Sequence, residues 1–251
     1  MVYIGYPRKP TKRSATAMIC HLPGADAPLA ADLAATALID SAHPAIAAFA
    51  RDVAGDAATA RECVARLYLA VRDRVRYDPY QVRLTAEDMC ASRTLTQGYG
   101  WCVPKAALLA AVCRACGVPA RVGYADVRNH LSTRRMRALL DTDVYYWHSY
   151  TAIHLDGCWR KATPAFDLAL CRRARLAPLE FDGSADSIFH PFDTTGRQHM
   201  EYLAYRGEYD DVPLQDIRRT FAKRYPNMMQ LAGADFREDC DAEQPEAPRV
   251  P

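Results

Sequence analysis

One run, Gly98 to Asp126, narrows what this chain can fold into more than any other: GYGWCVPKAALLAAVCRACGVPARVGYAD. It reads as a glycine-bearing turn, a helix, a Gly-Val-Pro break and the start of a strand. Pro104 suits a first helical turn, where its missing N–H is an orphan in any case. Ala106, Leu109, Val112, Cys113 and Cys116 recur at helical spacing and form an apolar face. Gly117 ends the helix, and Pro119 keeps the chain from re-entering it. Cys102 therefore stands at the helix start. Unpaired N–H groups and the helix dipole favour negative charge there, which predicts a lowered thiol pKa and a larger thiolate fraction. A free cysteine is more often a buried structural residue, so the position alone leaves both roles open.

A chain of 251 residues is large for one core and small for two equal domains. Its net charge of +2 argues neither for a nucleic-acid platform nor for a membrane patch. No run has the length of a transmembrane helix, and no smooth apolar stretch follows the basic residues Lys9, Lys12 and Arg13 as in a secretory signal. The nine cysteines are scattered and odd in number, which predicts free thiols in a reducing, cytoplasmic compartment. Cys113 and Cys116 form a C-x-x-C, but no second half with metal spacing follows, and the pair sits late in its helix. Both are read as helix and core residues, and neither a metal site nor a cofactor is expected.

Residues 1–39 read as an N-terminal extension, 40–232 as one domain, and 233–251 as a mobile acidic tail. A helix over 43–54 is capped by Asp40 or Ser41, and a second runs from Ala57 to Tyr77 with Arg72, Asp73, Arg74 and Arg76 facing water. The pattern turns to strand at Arg121, where Gly123 allows close backbone approach. A basic excursion follows, with Arg128, His130, Arg134, Arg135 and Arg137, and with Ser132 or Thr133 as a cap. It reads as a charged surface loop or as a binding loop for an acidic substrate group. In VYYWHSYTAIHLDGCWRK, alternation places Tyr146, His148, Tyr150 and Ala152 on one face, and Asp156-Gly157 signals a hairpin. Beyond Leu168 the pattern is weak until a closing helix over 213–225.

A cysteine at a helix start, a histidine on a strand and a polar residue on the adjacent strand form a nucleophile layout. The thiolate attacks an acyl group, the imidazole moves the proton, and the third residue orients the imidazole. Here these are Cys102, His148 and either Asp167 or Thr163. A satisfied core histidine is the competing role for His148.

On VRDRVRYDPY, GYGWCVPKAALLAAVCRACGVPAR and HSYTAIHLDGCWRKATPAFD, the chain resembles the transglutaminase-like superfamily over about residues 40–200. The resemblance implies an α+β, papain-like fold in which a helical part carrying the nucleophile packs on an antiparallel sheet. It implies Cys102 as nucleophile and His148 as base. The family's aspartate position falls on Thr163, a departure, and Asp167 four residues on is the expected replacement. Trp101 is a candidate wall of the acyl cleft and Gln97 a candidate oxyanion donor. Arg128, His130, Arg134, Arg135 and Tyr146 are candidate substrate contacts.

The expected function is acyl transfer from an amide, ester or thioester through a thioester on Cys102, in the manner of an amidase or peptidase. Transfer to an amine co-substrate is the first alternative, and a non-catalytic binding protein on the same fold is the second. The expected partner is a peptide or a small amide or thioester, with no nucleic acid and no membrane. The sequence leaves the oligomeric state open.

Overall fold

The computed structural model describes residues 27–129, 132–188, 200–231 and 233–243. The basic cluster near the N-terminus lies outside them. Leu38 and Ile39, assigned by sequence to an extension, belong to the core, and the backbone N–H of Ile39 donates to Asp211 at 3.2 Å.

Helix α1 spans Pro44–Ala54. Its cap is neither Asp40 nor Ser41 but His43, whose Nδ1 accepts from the Ala45 N–H at 3.2 Å, with Pro44 opening the helix. Helix α2, Ala60–Arg74, is capped by the Thr59 hydroxyl. It ends before Tyr77, because Arg76–Tyr77 (β1) pairs in parallel with Tyr99–Gly100 (β2). Arg72 is buried rather than facing water. Its guanidinium bonds Asp73, Glu180 and the Leu179 carbonyl, which offsets the cost of desolvating the charge.

Helix α3, Ala91–Gln97, ends at Gly98, whose φ of 72° is a left-handed cap suited to glycine. The turn before Cys102 is pinned by Arg76 N–H to Gly98 C=O at 2.9 Å and Asp78 N–H to Gly100 C=O at 3.0 Å. Helix α4 then runs Cys102–Ala115. It was expected to bury one face, but every residue from Cys102 to Arg114 is buried. Gly117, at φ 74°, closes it, with Val118 N–H bonding back to Cys113 C=O.

The sheet is antiparallel with strand order β5-β4-β3-β6: β3 is Ala120–Asn129, β4 Val144–Leu155, β5 Cys158–Ala162 and β6 Met200–Tyr209. Asp156 and Gly157, both at positive φ, make the predicted hairpin. Gly123 lies opposite Tyr150, and a Cβ there would stand 2.1 Å from the tyrosine ring. Helix α4 packs on this sheet, with the Thr151 hydroxyl donating to the Ala106 carbonyl at 2.9 Å. The fold is thus α+β, with the helical layer carrying Cys102 against an antiparallel sheet carrying His148.

Four further helices complete the described chain: α5, Arg134–Leu140, capped by Thr133; α6, Leu168–Arg173; α7, Leu214–Arg224; and α8, Phe236–Ala242. Strand β6 was not foreseen, and α8 replaces the start of the expected mobile tail. Phe236 is buried against Tyr77 and Tyr80, and acids of α8 pair with Arg135 and Arg173.

Candidate active site

Cys102 is the first residue of α4 and only 8% exposed. Burial pushes its thiol up from the ordinary value. The N–H groups of Cys102 and Val103, and Ser149 beside the sulfur, act in the opposite sense but do not prevail. The expected lowering by the helix start is therefore outweighed, and the resting group is a neutral thiol.

Ser149 is the residue after His148 on β4, so the sulfur lies against the histidine-bearing strand. His148 is buried, and burial lowers its pKa to about 4. A β-bulge precedes it. Ala125 pairs with His148, but Val127 pairs with Tyr145, so β4 carries one residue more than β3 across that step. The extra turn is taken at Trp147, whose φ is 62°. Its backbone N–H donates to Asp126 at 3.2 Å, and the Arg206 guanidinium clamps the same carboxylate at 2.9 Å.

The bulge overturns the simple alternation. Tyr145, not Tyr146, shares a cavity wall with His148. Tyr146 instead packs on Tyr225, with ring centroids 5.8 Å apart, and under Arg224.

The two candidates for the third role separate. Asp167 caps α6: one oxygen accepts from Leu170 N–H at 2.9 Å, the other from Tyr77 N–H at 2.9 Å, with Arg237 3.5 Å away. No hydrogen bond joins it to His148 among the described residues, and the imidazole pKa responds to burial alone. Thr163 faces His148 across a cavity of about 10 Å³, room for roughly one water. Both His148 Nε2 and Thr163 Oγ1 are buried without a hydrogen-bond partner.

The Gln97 amide does not point its N–H at an oxyanion site; it donates to the Tyr99 carbonyl at 2.8 Å. Trp101 is buried against Phe221, with ring centroids 5.7 Å apart. Arg128 pairs with Asp143 and Glu201. Arg135 pairs with Asp239, and the Arg134 backbone N–H and guanidinium meet Glu243. Internal acids thus answer the charges expected to meet substrate. His130 lies outside the described residues.

The sequence does not single out Lys105, wholly buried three residues after Cys102. Its Nζ donates to the Arg72 and Val75 carbonyls at the end of α2, and burial lowers its pKa to about 7. Its spacing from Cys102 was visible, but nothing in the sequence said that the whole circumference of α4 is buried. Among the described residues, no group of three or more His, Cys, Asp or Glu side chains is placed to hold a metal ion, and no helix is long and apolar enough to cross a membrane.

Residues 47–164 match the model of the transglutaminase-like superfamily, and this part of the chain is a domain of that superfamily. Among solved structures, a "putative cysteine protease" from Cytophaga hutchinsonii aligns at 17% identity with a TM-score of 0.44, covering 76% of this chain and 58% of that one. A "putative protease" from Parabacteroides distasonis aligns at 16% identity with a TM-score of 0.34, covering 47% of this chain and 22% of that one. The chain thus spans just over half of the first structure and about a fifth of the second. No curated protein matches it in sequence.

Proposed function

We propose that the protein is a cysteine-dependent acyl-transfer enzyme acting first as an amidase or peptidase. The observation that carries this reading is the Cys102 thiol at the first turn of a buried helix, with Ser149 of β4, the strand that carries His148, beside the sulfur. The pair rests neutral, so the thiol proton passes to the imidazole as the sulfur attacks the carbonyl carbon. The backbone N–H of Cys102 is the proposed donor to the developing oxyanion. The imidazolium returns its proton to the leaving amine, and a thioester forms on Cys102. His148 then deprotonates water, which releases the acid and restores the thiol.

Thr163 is the better-supported partner for His148. Its hydroxyl can hold the ring directly or through one water, fixing the tautomer without adding a charge. Asp167 serves the backbone of α6 and β1 instead.

Transfer to an amine differs only in the second nucleophile, and a walled cavity on the imidazole side favours keeping it as the second reading. The test is intact-mass and peptide mapping after acid quench of a reaction with p-nitrophenyl acetate. An acetyl group on Cys102, absent in Cys102→Ala and slowed in His148→Ala, is expected. Acylation confined to another residue would overturn the assignment.

A further inference from the structure

A cavity of about 280 Å³ opens against His148, enclosed by α5, α6 and α8. This is near the small end of ligand pockets, which begin at about 300 Å³. Tyr77, Met136, Tyr145, Phe166, Leu170 and Phe236 give it a largely apolar wall. Cys102 is not among its lining residues. In acyl transfer the imidazole, not the thiol, exchanges a proton with the amine part of the substrate. A pocket walled by the imidazole and not by the sulfur therefore lies on the amine side of the scissile bond.

Two polar features also line it. Exposed Arg137 donates to the Ser132 carbonyl and, among the described residues, has no carboxylate partner, unlike Arg128, Arg134, Arg135 and Arg173. The buried Ser132 hydroxyl lies beside Tyr145 without a well-formed hydrogen bond. Glu243, the carboxylate in the wall, is engaged by the Arg134 N–H at 2.8 Å. An anion is thus favoured at Arg137 and Ser132, in a cavity whose wall is otherwise largely apolar.

We propose that this cavity binds the amine-side residue of the substrate, and that it selects an amino acid with an apolar side chain and a free carboxylate. The α-amine meets His148, the side chain fills the aromatic wall, and the carboxylate meets Arg137. The assignment to the amine side rests on the proposed role of His148.

The test is calorimetric titration of the folded Cys102→Ala protein with L-phenylalanine, L-phenylalaninamide and L-serine. L-Phenylalanine is expected to bind saturably, the amide at least tenfold more weakly, and serine without measurable heat. Ala174→Phe, which fills the cavity, should abolish binding. Arg137→Gln, an exposed change with little bearing on folding, should equalise the acid and its amide. Equal binding of phenylalanine and serine, unaltered binding in Ala174→Phe, or no saturable binding would overturn the proposal. Acetylation of Cys102 by p-nitrophenyl acetate, measured in parallel on the unmodified enzyme, separates the two readings. Acetylation without phenylalanine binding removes this subsite alone. Binding without acetylation leaves a ligand cavity and removes its assignment to the amine side.

Discussion

Trp147 donates its backbone N–H to the carboxylate of Asp126 at 3.2 Å, from β4, the strand that carries His148, to the neighbouring β3. The contact holds Trp147 at a φ of 62°, a conformation that costs a bulky residue about 1–3 kcal/mol. Asp126→Ala leaves that N–H and Arg206 without their acceptor. It should lower stability by about 2–4 kcal/mol and lower kcat/KM more than tenfold. Asp126→Asn keeps an acceptor and should do less of both. Chemical denaturation and steady-state kinetics on the two variants check this, and unchanged kinetics in a folded Asp126→Ala protein would remove the bulge from the mechanism.

Thr163 and Asp167 make opposite predictions. Thr163→Val should lower kcat/KM about tenfold with little change in melting temperature, since only an orienting hydrogen bond is lost. Asp167→Asn should lower stability by about 1–2 kcal/mol through its cap and its bond to Tyr77, with a smaller loss of kcat/KM. The reverse order of kinetic losses would return Asp167 to the triad.

Stability should depend on acid through His148. Its folded pKa, about 4, lies below the ordinary value of 6.5, so the unfolded chain takes up the proton first. The stabilisation is present above pH 6.5 and is lost as pH falls toward 4, by about 3 kcal/mol for a shift of this size. His148→Asn should flatten that part of the curve. Urea unfolding at stepped pH measures it, and identical slopes in both proteins would contradict the burial-driven shift.

Lys105→Met should destabilise by roughly 2–4 kcal/mol, because the carbonyls of Arg72 and Val75 lose their donor. Lys105 is lowered from 10.5 to about 7, so the wild type should gain stability as pH rises from 7 to 10.5. The methionine variant should lack that gain. Thermal melts across this range decide it.

Much of the backbone around the candidate site was legible because its signals are local. The glycine turn, Pro104, the Gly117 stop and the Asp156-Gly157 hairpin each act within a few residues. What escaped acts at long range. The bulge that swaps Tyr145 for Tyr146 depends on Asp126, which lies across the sheet. The engagement of Asp167 depends on Tyr77, ninety positions away in sequence. The thiol pKa was misjudged because the helix start was visible and the burial of α4 was not. Strand β6 was missed since its exposed outer residues, such as Leu203 and Tyr205, blur the inside–outside contrast. Helix α8 was hidden by acidic composition, whose purpose is apparent only beside Arg135 and Arg173.

The close approach of Gly123 to Tyr150 ties two positions of the sequence into one unit of inheritance. With 2.1 Å between a hypothetical Cβ and the ring, position 123 cannot vary while the ring stands at 150. A descendant that gains any side chain at 123 must first have lost its aromatic ring at 150. That loss would also take from Glu208 the Tyr150 hydroxyl it accepts from at 3.0 Å, leaving it to Lys161 and Arg121. Among relatives that share this sheet, glycine at the first position and a large ring at the second should travel together, and the two should be exchanged only in that order.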